Sequence, residues 1–579
     1  MQQEQRIWRE RAIADEVIDE LCNALRLSPL TARILAGRGI EDGDHAERFL
    51  AKRLADVHRP QALGQMERAA TRFAQALNER QTILIHGDYD VDGSTSTTLL
   101  TLFCRAMGHT AIPWIPHRRI DGYGLSAASL AAVQEHQADL MITVDCGIAD
   151  HGWAARIEAE SGCQVIITDH HLPQGDLPQC HAVVNPNHPD CPYPEKGLAG
   201  VGVAWKLAWA TACTLTGCER LPESLRDFLM DALALVAVGT VADCAPLDGE
   251  NRILVHHGLK ALAKTRNPGL RALLDHAKVG DHIRCDDIGW RIAPLLNASG
   301  RLGSAMRNVH LLTCETATEA QRWLAEIVSE NEERRRLSQM LSNDLIAEVE
   351  ERAEYYLSRA SLVFAGEGWH AGVVGIVASR LTERFAKPSA VIAIDEGQGK
   401  GSLRTIPSIH LARALESCAE HLIRGGGHAM AAGISIAADQ VDAFSEAFDQ
   451  AVRQQSPDGL QAPGVDHDGR VSVRQLDQTF FHDLDRLAPF GQNNPEPLLR
   501  VDDASFVTRP SFFGRSNDHL RGAVTDQGGG MLNLLAWKAR SHFPHLLSLR
   551  HFTCLVRPQV DWFRGERQHR VVLVDGSAP

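Results

Sequence analysis

From about residue 60 to 250, short runs of aliphatic and β-branched residues alternate with stretches whose apolar positions recur three or four apart. The runs at 82–85, 111–115, 140–144, 165–168, 182–184 and 235–241 read as strands, and the stretches between them, 95–107 among them, as helices. That alternation predicts an α/β fold built on a parallel sheet with crossover helices. Before it, residues 1–56 are helical in pattern: Ser28 and Pro29 open a helix, Gly37 and Gly39 close it near Leu35, and Phe49 and Leu50 anchor the element as a packing piece or a lid. Between Gly303 and Gly366 there is neither Gly nor Pro, and Leu324, Ile327, Val328, Leu337, Met340, Leu341, Leu345 and Val349 keep helical spacing. A long helix bridging two domains is expected there. Glycines then precede helical runs at 369–380 and 425–428; such turns expose backbone N–H groups to anions, although glycines also serve close packing. From about 465 onward, β-like runs at 498–501, 532–537 and 571–574, with Gly and Asn turns such as 490–495, predict a small β-barrel. The expected division is a helical element (1–58), a first α/β domain (59–265), a helical segment with the long connecting helix (266–358), a second α/β domain (359–462) and the barrel (463–579).

Charge changes this picture in one place. With 59 Lys and Arg against 73 Asp and Glu the net charge is −14, which argues against a generic polyanion binder, so any nucleic-acid contact needs a local basic patch. Residues 509–579 supply one, with ten Lys or Arg against five Asp or Glu. Phe512, Phe513, Trp537, Phe552, Trp562 and Phe563 are interleaved with those cations, a mixture suited to single-strand binding by base stacking, with part of the rings needed for the core. The cluster at 332–336 reads as a solvated helix face, DNA contact being its other reading. Thirteen cysteines, an odd number without a Cys-x-x-Cys pair, read as reduced thiols. A polar N-terminus and the lack of any run of about 18 apolar residues predict a cytoplasmic protein without a membrane span.

The chemistry concentrates where the first predicted strand ends, in Ile-Leu-Ile-His-Gly-Asp-Tyr-Asp-Val-Asp-Gly-Ser at 83–94. Asp88, Asp90 and Asp92 alternate, so in an extended strand end they share one face, tolerable only beside cations; Gly93 then turns the chain and Ser94 can cap the next helix. A solvated acidic turn or a calcium loop are the other readings, but Leu99 stands where a calcium loop needs its bidentate Glu. Asp145, the triplet Asp169-His170-His171, and Asp243 follow other predicted strands, and ligands of parallel sheets bind beyond such carboxyl ends. One Asp after a strand is ordinarily a turn residue; four such coincidences at one edge point to a metal centre. His86, Asp90, Asp92, Asp145, His170 and Asp243 offer imidazole and carboxylate without thiolate, which suits two Mn2+ or Mg2+ ions rather than structural zinc. Two such ions sharing Asp92 or Asp145 could activate water against a phosphate ester.

These motifs, with Val-Asp-Cys-Gly at 144–147 and Gly-Thr-Val-Ala-Asp at 239–243, resemble the DHH phosphoesterase superfamily and, within it, the RecJ family of bacterial single-strand-specific exonucleases. The resemblance extends over nearly the whole chain, including 28–40 and Asn-Ala-Ser-Gly-Arg-Leu at 297–302. It implies a DHH catalytic domain, a DHH-associated second domain and a C-terminal OB-fold, acting as a metal-dependent 5′ to 3′ exonuclease that degrades single-stranded DNA to nucleoside 5′-monophosphates in recombination and repair. It completes the ligand set given above, places His171 beside the scissile phosphate with Arg301 nearby, and leaves Asp88 as a catalytic neighbour. It gives the terminal 5′-phosphate to Arg118, Ser402 and Arg404, and the nucleic-acid backbone to Gly426, Gly427 and His428. Arg380, Phe512, Arg515, Trp537 and Arg557 are further candidates for contact with the strand. Expected partners are single-stranded DNA with a 5′ end and, by the same resemblance, a single-strand-binding protein and a DNA helicase; the protein is expected to be a monomer. Two alternatives are a small-substrate DHH phosphoesterase for pyrophosphate, cyclic dinucleotides or very short RNA, and a non-catalytic binding scaffold. The additional basic β domain argues against the first, and the filled ligand positions against the second.

Overall fold

The computed structural model describes residues 7–578 apart from 119, 150–151, 174, 461–463, 545, 547–548 and 564–565. Its first sheet is parallel throughout: β1 (Ile83–Gly87), β2 (Ile112–Trp114), β3 (Leu140–Val144), β4 (Gln164–Thr168) and β5 (Ala182–Val184) lie in the order β2-β1-β3-β4-β5. Every residue of β1 and β3 is buried, which is why these strands are mostly apolar runs rather than alternating.

The sixth expected strand, 235–241, is instead the end of the helix Glu223–Ala242. A short apolar run carries no period that separates a buried strand from a buried helix. Here the buried stretch runs unbroken from Ala232 to Thr240, and its length favours the helix. Asp243 therefore reaches the site from a helix C-terminus, not from a strand. The helix expected at 95–107 is Val91–Ala106, four residues longer at its start, because Asp90 rather than Ser94 is the N-cap: Asp90 Oδ1 accepts from Gly93 N at 2.9 Å. Ser94 lies inside the helix and donates to the Asp90 carbonyl, as Thr95, Thr97, Thr98 and Thr101 donate to carbonyls four residues back. That bonding satisfies hydroxyls buried between strand and helix. Asp88, Asp90 and Asp92 consequently do not alternate on one extended face; they occupy the strand end, the cap and the first helical turn.

The described chain forms two compact units, one of Val328–Val465 with the stretch ending at Arg9, the other of Glu10–Ile327 with Asp466–Pro579. The long helix expected after Gly303 is Ala317–Glu351, and Glu333 and Arg336 pair on its exposed face at 2.7 Å. In the larger unit, the N-terminal helices Asp15–Leu25, Pro29–Ala36 and Gly43–Ala51 are a packing piece: Leu21, Ile34, Leu35 and Leu50 share one core with Phe480, Phe481, Val501 and Phe552. Ser28 caps the second of these helices as expected, accepting from Thr31 N at 3.2 Å. Two buried cations bind the same region together. Arg252, 1% exposed, donates to the carbonyls of Phe49, Arg486, Ala488 and Pro489 at 3.0–3.1 Å and lies on the Phe49 ring. Lys52 Nζ donates to the Arg486 and Ala488 carbonyls at 2.6 and 3.0 Å. These acceptors close the helix Gln478–Leu487, an end that favours positive charge.

The C-terminal domain is β-rich. Leu499–Phe506 pairs with Phe552–Phe563, which pairs with Glu566–Ser577, then Leu532–Ala536, then His519–Thr525, and His519–Thr525 also pairs with Leu499–Phe506. In the other unit, strands Arg424–Gly427, Ala431–Ala437, Gln398–Arg404, Ser389–Asp395 and Leu362–Glu367 form one sheet in that order. The helix Val374–Phe385 follows Gly372 as expected, with Gly375 inside its first turn. Gly425, Gly426, Gly427 and His428 open no helix. The three glycines form a strand against Ala431–Ala437, a conformation open to residues with poor helix propensity. All thirteen cysteines are free, and among the described residues no helix is long and apolar enough to cross a membrane.

Candidate metal centre

Beyond the carboxyl ends of β1, β3 and β4, ligand atoms converge in three overlapping groups, each within 4.8 Å: Asp145, His170 and His171; Asp92, His170 and Asp243; Asp88, Asp90 and Asp145. His170 is central, its Nε2 lying 3.1 Å from Asp145 Oδ1, 3.8 Å from Asp243 Oδ2 and 3.9 Å from Asp92 Oδ2. Asp92 is fixed by the start of the helix Gly200–Thr216, accepting from Gly200 N and Val201 N at 2.8 Å each. Gly200 is required there, since a Cβ would stand 2.8 Å from Asp145 Oδ1. Asp145 itself holds a left-handed backbone, φ 61°.

Asp169, to which the sequence reading gave no role, orients the pair that follows it. It accepts from Ile148 N at 2.9 Å, from the backbone of His170 and His171 at 2.7 and 3.1 Å, and from His171 Nδ1 at 2.8 Å. Its place between the apolar run 165–168 and two imidazoles was the available signal, because a carboxylate buried at such a strand end needs donors. Burial opposes charge on His171, but the Asp169 hydrogen bond and field prevail and raise its pKa to about 9. Burial, joined by repulsion from the other carboxylates, pushes Asp88, Asp92 and Asp145 well above the usual carboxylate range and Asp243 to about 7. Burial and the charge of His171 lower His170 to about 4, keeping it neutral.

The cluster is thus electrostatically incomplete in a way that a divalent cation remedies. Both oxygens of Asp145, Oδ1 of Asp88 and Nε2 of His170 are buried without a hydrogen-bond partner. Oxygen and imidazole donors, with no thiolate in any of the three groups, fit Mn2+ or Mg2+. His86 is not brought into these groups: its Nε2 lies 3.0 Å from Ser129 Oγ and its Nδ1 3.6 Å from Cys146 Sγ, with the ring against Trp114. Asp88, Asp90, Asp92 and Asp243 line a cavity of about 340 Å³ whose wall also carries Arg118 and Arg301.

The remaining candidates lie elsewhere. Ser402 and Arg404 share a face of their strand in the other unit, since a Cβ on Gly375 would stand 3.4 Å from Ser402 and 3.3 Å from Arg404 Nη2. Gly426, Gly427 and His428 are exposed, the glycines on their strand and His428 just beyond it. Arg380 is tied to the long helix, its Nη1 donating to Ser338 O at 3.1 Å and Ser342 Oγ at 3.2 Å. On the C-terminal domain Arg515 and Arg557 are exposed, and Trp537 is 49% exposed in a cluster with Phe513 and His519. Arg540 covers the ring of Phe512 at 3.9 Å and Arg521 lies 6.0 Å from that of Phe513. His519, Arg521 and Arg540 were missed because their neighbours become visible only when strands pair. Phe552 is core, Trp562 stacks on His282 at 3.7 Å, and the side chain of Phe563 lies outside the described residues.

Comparison with known proteins agrees with this geometry. The DHH family N-terminal domain matches residues 82–240, the DHHA1 domain 357–454 and the RecJ OB domain 467–575. The single-stranded-DNA-specific exonuclease RecJ of Escherichia coli is 34% identical over 583 residues, covering 98% of this chain and 99% of that protein. The protein of the same name from Bacillus subtilis is 36% identical over 501 residues, 86% of this chain but 62% of that longer relative. The crystal structure of RecJ from Thermus thermophilus in complex with Mn2+ superposes with a TM-score of 0.80 at 30% identity, covering 99% of this chain and 80% of that one.

Proposed function

The chain belongs to the RecJ family of single-stranded-DNA-specific exonucleases, and from that membership we propose that it removes nucleoside 5′-monophosphates from the 5′ end of single-stranded DNA at its carboxylate and imidazole cluster. The observation that carries the reading is Asp145, whose two buried oxygens have no hydrogen-bond partner and face the equally unpartnered His170. Asp90, Asp92, Asp145, His170 and Asp243 would hold two divalent ions, which when bound supply an activated water and stabilise charge on a phosphoryl oxygen. His86 joins this set on its motif and must turn away from Ser129 and Cys146 to do so. His171, oriented by Asp169 and cationic, is placed to offset charge that grows on the scissile phosphate. Arg301 shares the cavity wall and serves the same group, with Asp88 as a neighbouring carboxylate.

Arg118 on the catalytic unit and Ser402 and Arg404 on the other unit are the candidates for the terminal phosphate, and Gly426, Gly427 and His428 those for the nucleic-acid backbone. The five-part division of the chain at 58, 265, 358 and 462 is part of the same reading. The C-terminal domain is read as an OB-type barrel, supported by strand pairings that return to Leu499–Phe506. Its aromatic and cationic cluster serves as a stacking platform for bases. A single-strand-binding protein and a helicase are the proposed partners of a cytoplasmic monomer.

Purified protein with Mn2+ and end-labelled single strands, duplexes and pyrophosphate tests this. Mononucleotides released from single strands alone are expected; faster hydrolysis of pyrophosphate would favour the small-substrate reading, and binding without cleavage the scaffold. For the platform, Trp537→Ala is expected to cost roughly 1–3 kcal/mol of affinity for long strands, with little change in salt dependence. Arg521→Ala should flatten the slope of affinity against salt by about 0.7. Fluorescence anisotropy at several salt concentrations separates the two effects.

A further inference from the structure

Arg118 makes no hydrogen bond or ion pair among the described residues, although it stands on the wall of an acidic cavity. Its packing partner is a ring: the guanidinium carbon lies 4.7 Å from the centroid of Tyr89, with the Asp88 carboxylate near enough to feel its charge. The ring is itself seated, packing against the buried Ile115, Ala305 and Val309 beside Met306. It also meets Tyr123 edge to face at 6.2 Å, and Tyr123 meets His171 in the same manner at 6.3 Å. The backbone of Tyr89 is fixed as firmly, because Gly300 packs so closely on its carbonyl that a Cβ would collide there; the next residue of that helix is Arg301. A guanidinium held through the π face of a ring keeps its in-plane N–H fork free, the part of arginine that matches a phosphate dianion.

We infer that Tyr89 is a positioning residue for end recognition: its ring holds Arg118 so that the N–H fork is presented to the terminal 5′-phosphate of the strand. This rests on the exonuclease reading and on Arg118 as a phosphate contact. It gives the tyrosine between Asp88 and Asp90 a task separate from the carboxylates, and it makes the preference for a phosphorylated end depend on an aromatic face rather than on the phenol.

The test compares single strands carrying a 5′-phosphate or a 5′-hydroxyl, in wild type, Tyr89→Phe and Tyr89→Met. Phenylalanine keeps the face; methionine fills the seat against Ile115, Ala305 and Val309 without one. Tyr89→Met is expected to lose roughly five- to tenfold of the kcat/KM advantage of the phosphorylated strand, mostly through KM, the scale of one cation–π contact. Tyr89→Phe is expected to retain that advantage within about twofold. An advantage undiminished in Tyr89→Met, or lost equally in Tyr89→Phe, overturns the inference. So does loss of Mn2+ binding by Tyr89→Met in calorimetry, which would assign the residue to the metal centre. Should Tyr89→Met fold poorly, Tyr89→Leu replaces it: its loss of end preference must appear with Arg118 present and vanish in an Arg118→Ala background, and a loss of the same size in both overturns the inference. If wild type shows no cleavage of single strands, the exonuclease reading itself fails, a result distinct from all of these.

Discussion

Asp145→Asn is expected to lose at least a hundredfold in cleavage of single-stranded DNA while the metal-free protein becomes no less stable. Asparagine is the apt substitution because residue 145 sits at φ 61°, a backbone that Asn tolerates and alanine does not favour. The loss of rate follows from the carboxylate's position in two of the three ligand groups; removing a group that only supports a ligand already costs 10- to 100-fold in such sites. The stability expectation has the opposite sign. Burial and the neighbouring carboxylates raise the Asp145 pKa well above its unfolded value, so its contribution favours the fold below the unfolded pKa and is lost as pH rises through the folded one. At neutral pH an amide lacks that repulsion. Melting temperatures of metal-free wild type and Asp145→Asn at pH 7, beside their turnover with Mn2+, check both halves.

Arg252→Ala is expected to destabilise the larger unit by about 3–5 kcal/mol without touching the metal centre. The side chain is a buried cation whose fork is used on four carbonyls, those of Phe49, Arg486, Ala488 and Pro489. Truncation leaves those carbonyls unsatisfied around a cavity, and losing charge-assisted hydrogen bonds together with a large buried side chain costs about that much. Urea unfolding gives the free energy, and hydrogen exchange at 478–489 reports whether the helix Gln478–Leu487 is loosened first. The same geometry means that the C-terminal domain is no detachable module: cutting at 466 would uncover Leu21, Ile34, Leu35 and Leu50. Point substitutions such as Trp537→Ala, not truncations, separate strand binding from chemistry in this protein.

What could be read from sequence was whatever a local pattern specifies. The parallel strands were legible because aliphatic runs with polar residues at their carboxyl ends mean the same thing in any doubly covered sheet. Ser28 was legible as a cap because its bond closes within three residues. Asp243 was placed near the cluster by the wrong element, since a short, mostly apolar run looks alike in a buried strand and in the last turns of Glu223–Ala242. Asp90 took the cap from Ser94 because two nearby cap-forming residues compete and only the path of the chain out of β1 decides between them. Arg252 was invisible for another reason. Its acceptors lie more than two hundred residues away on both sides, and nothing around position 252 announces them.

The most direct test of the metal centre is a calorimetric Mn2+ titration of EDTA-stripped protein, run beside the rate of nucleotide release from 5′-labelled single strands at each metal concentration. Wild type should be inert when stripped, and its activity should rise as about two ions bind. Asp145→Asn should bind fewer ions and recover no comparable activity at any concentration. Cleavage by the stripped wild type, or full activity of metal-loaded Asp145→Asn, would contradict the assignment of this cluster as the metal centre that cleaves the strand.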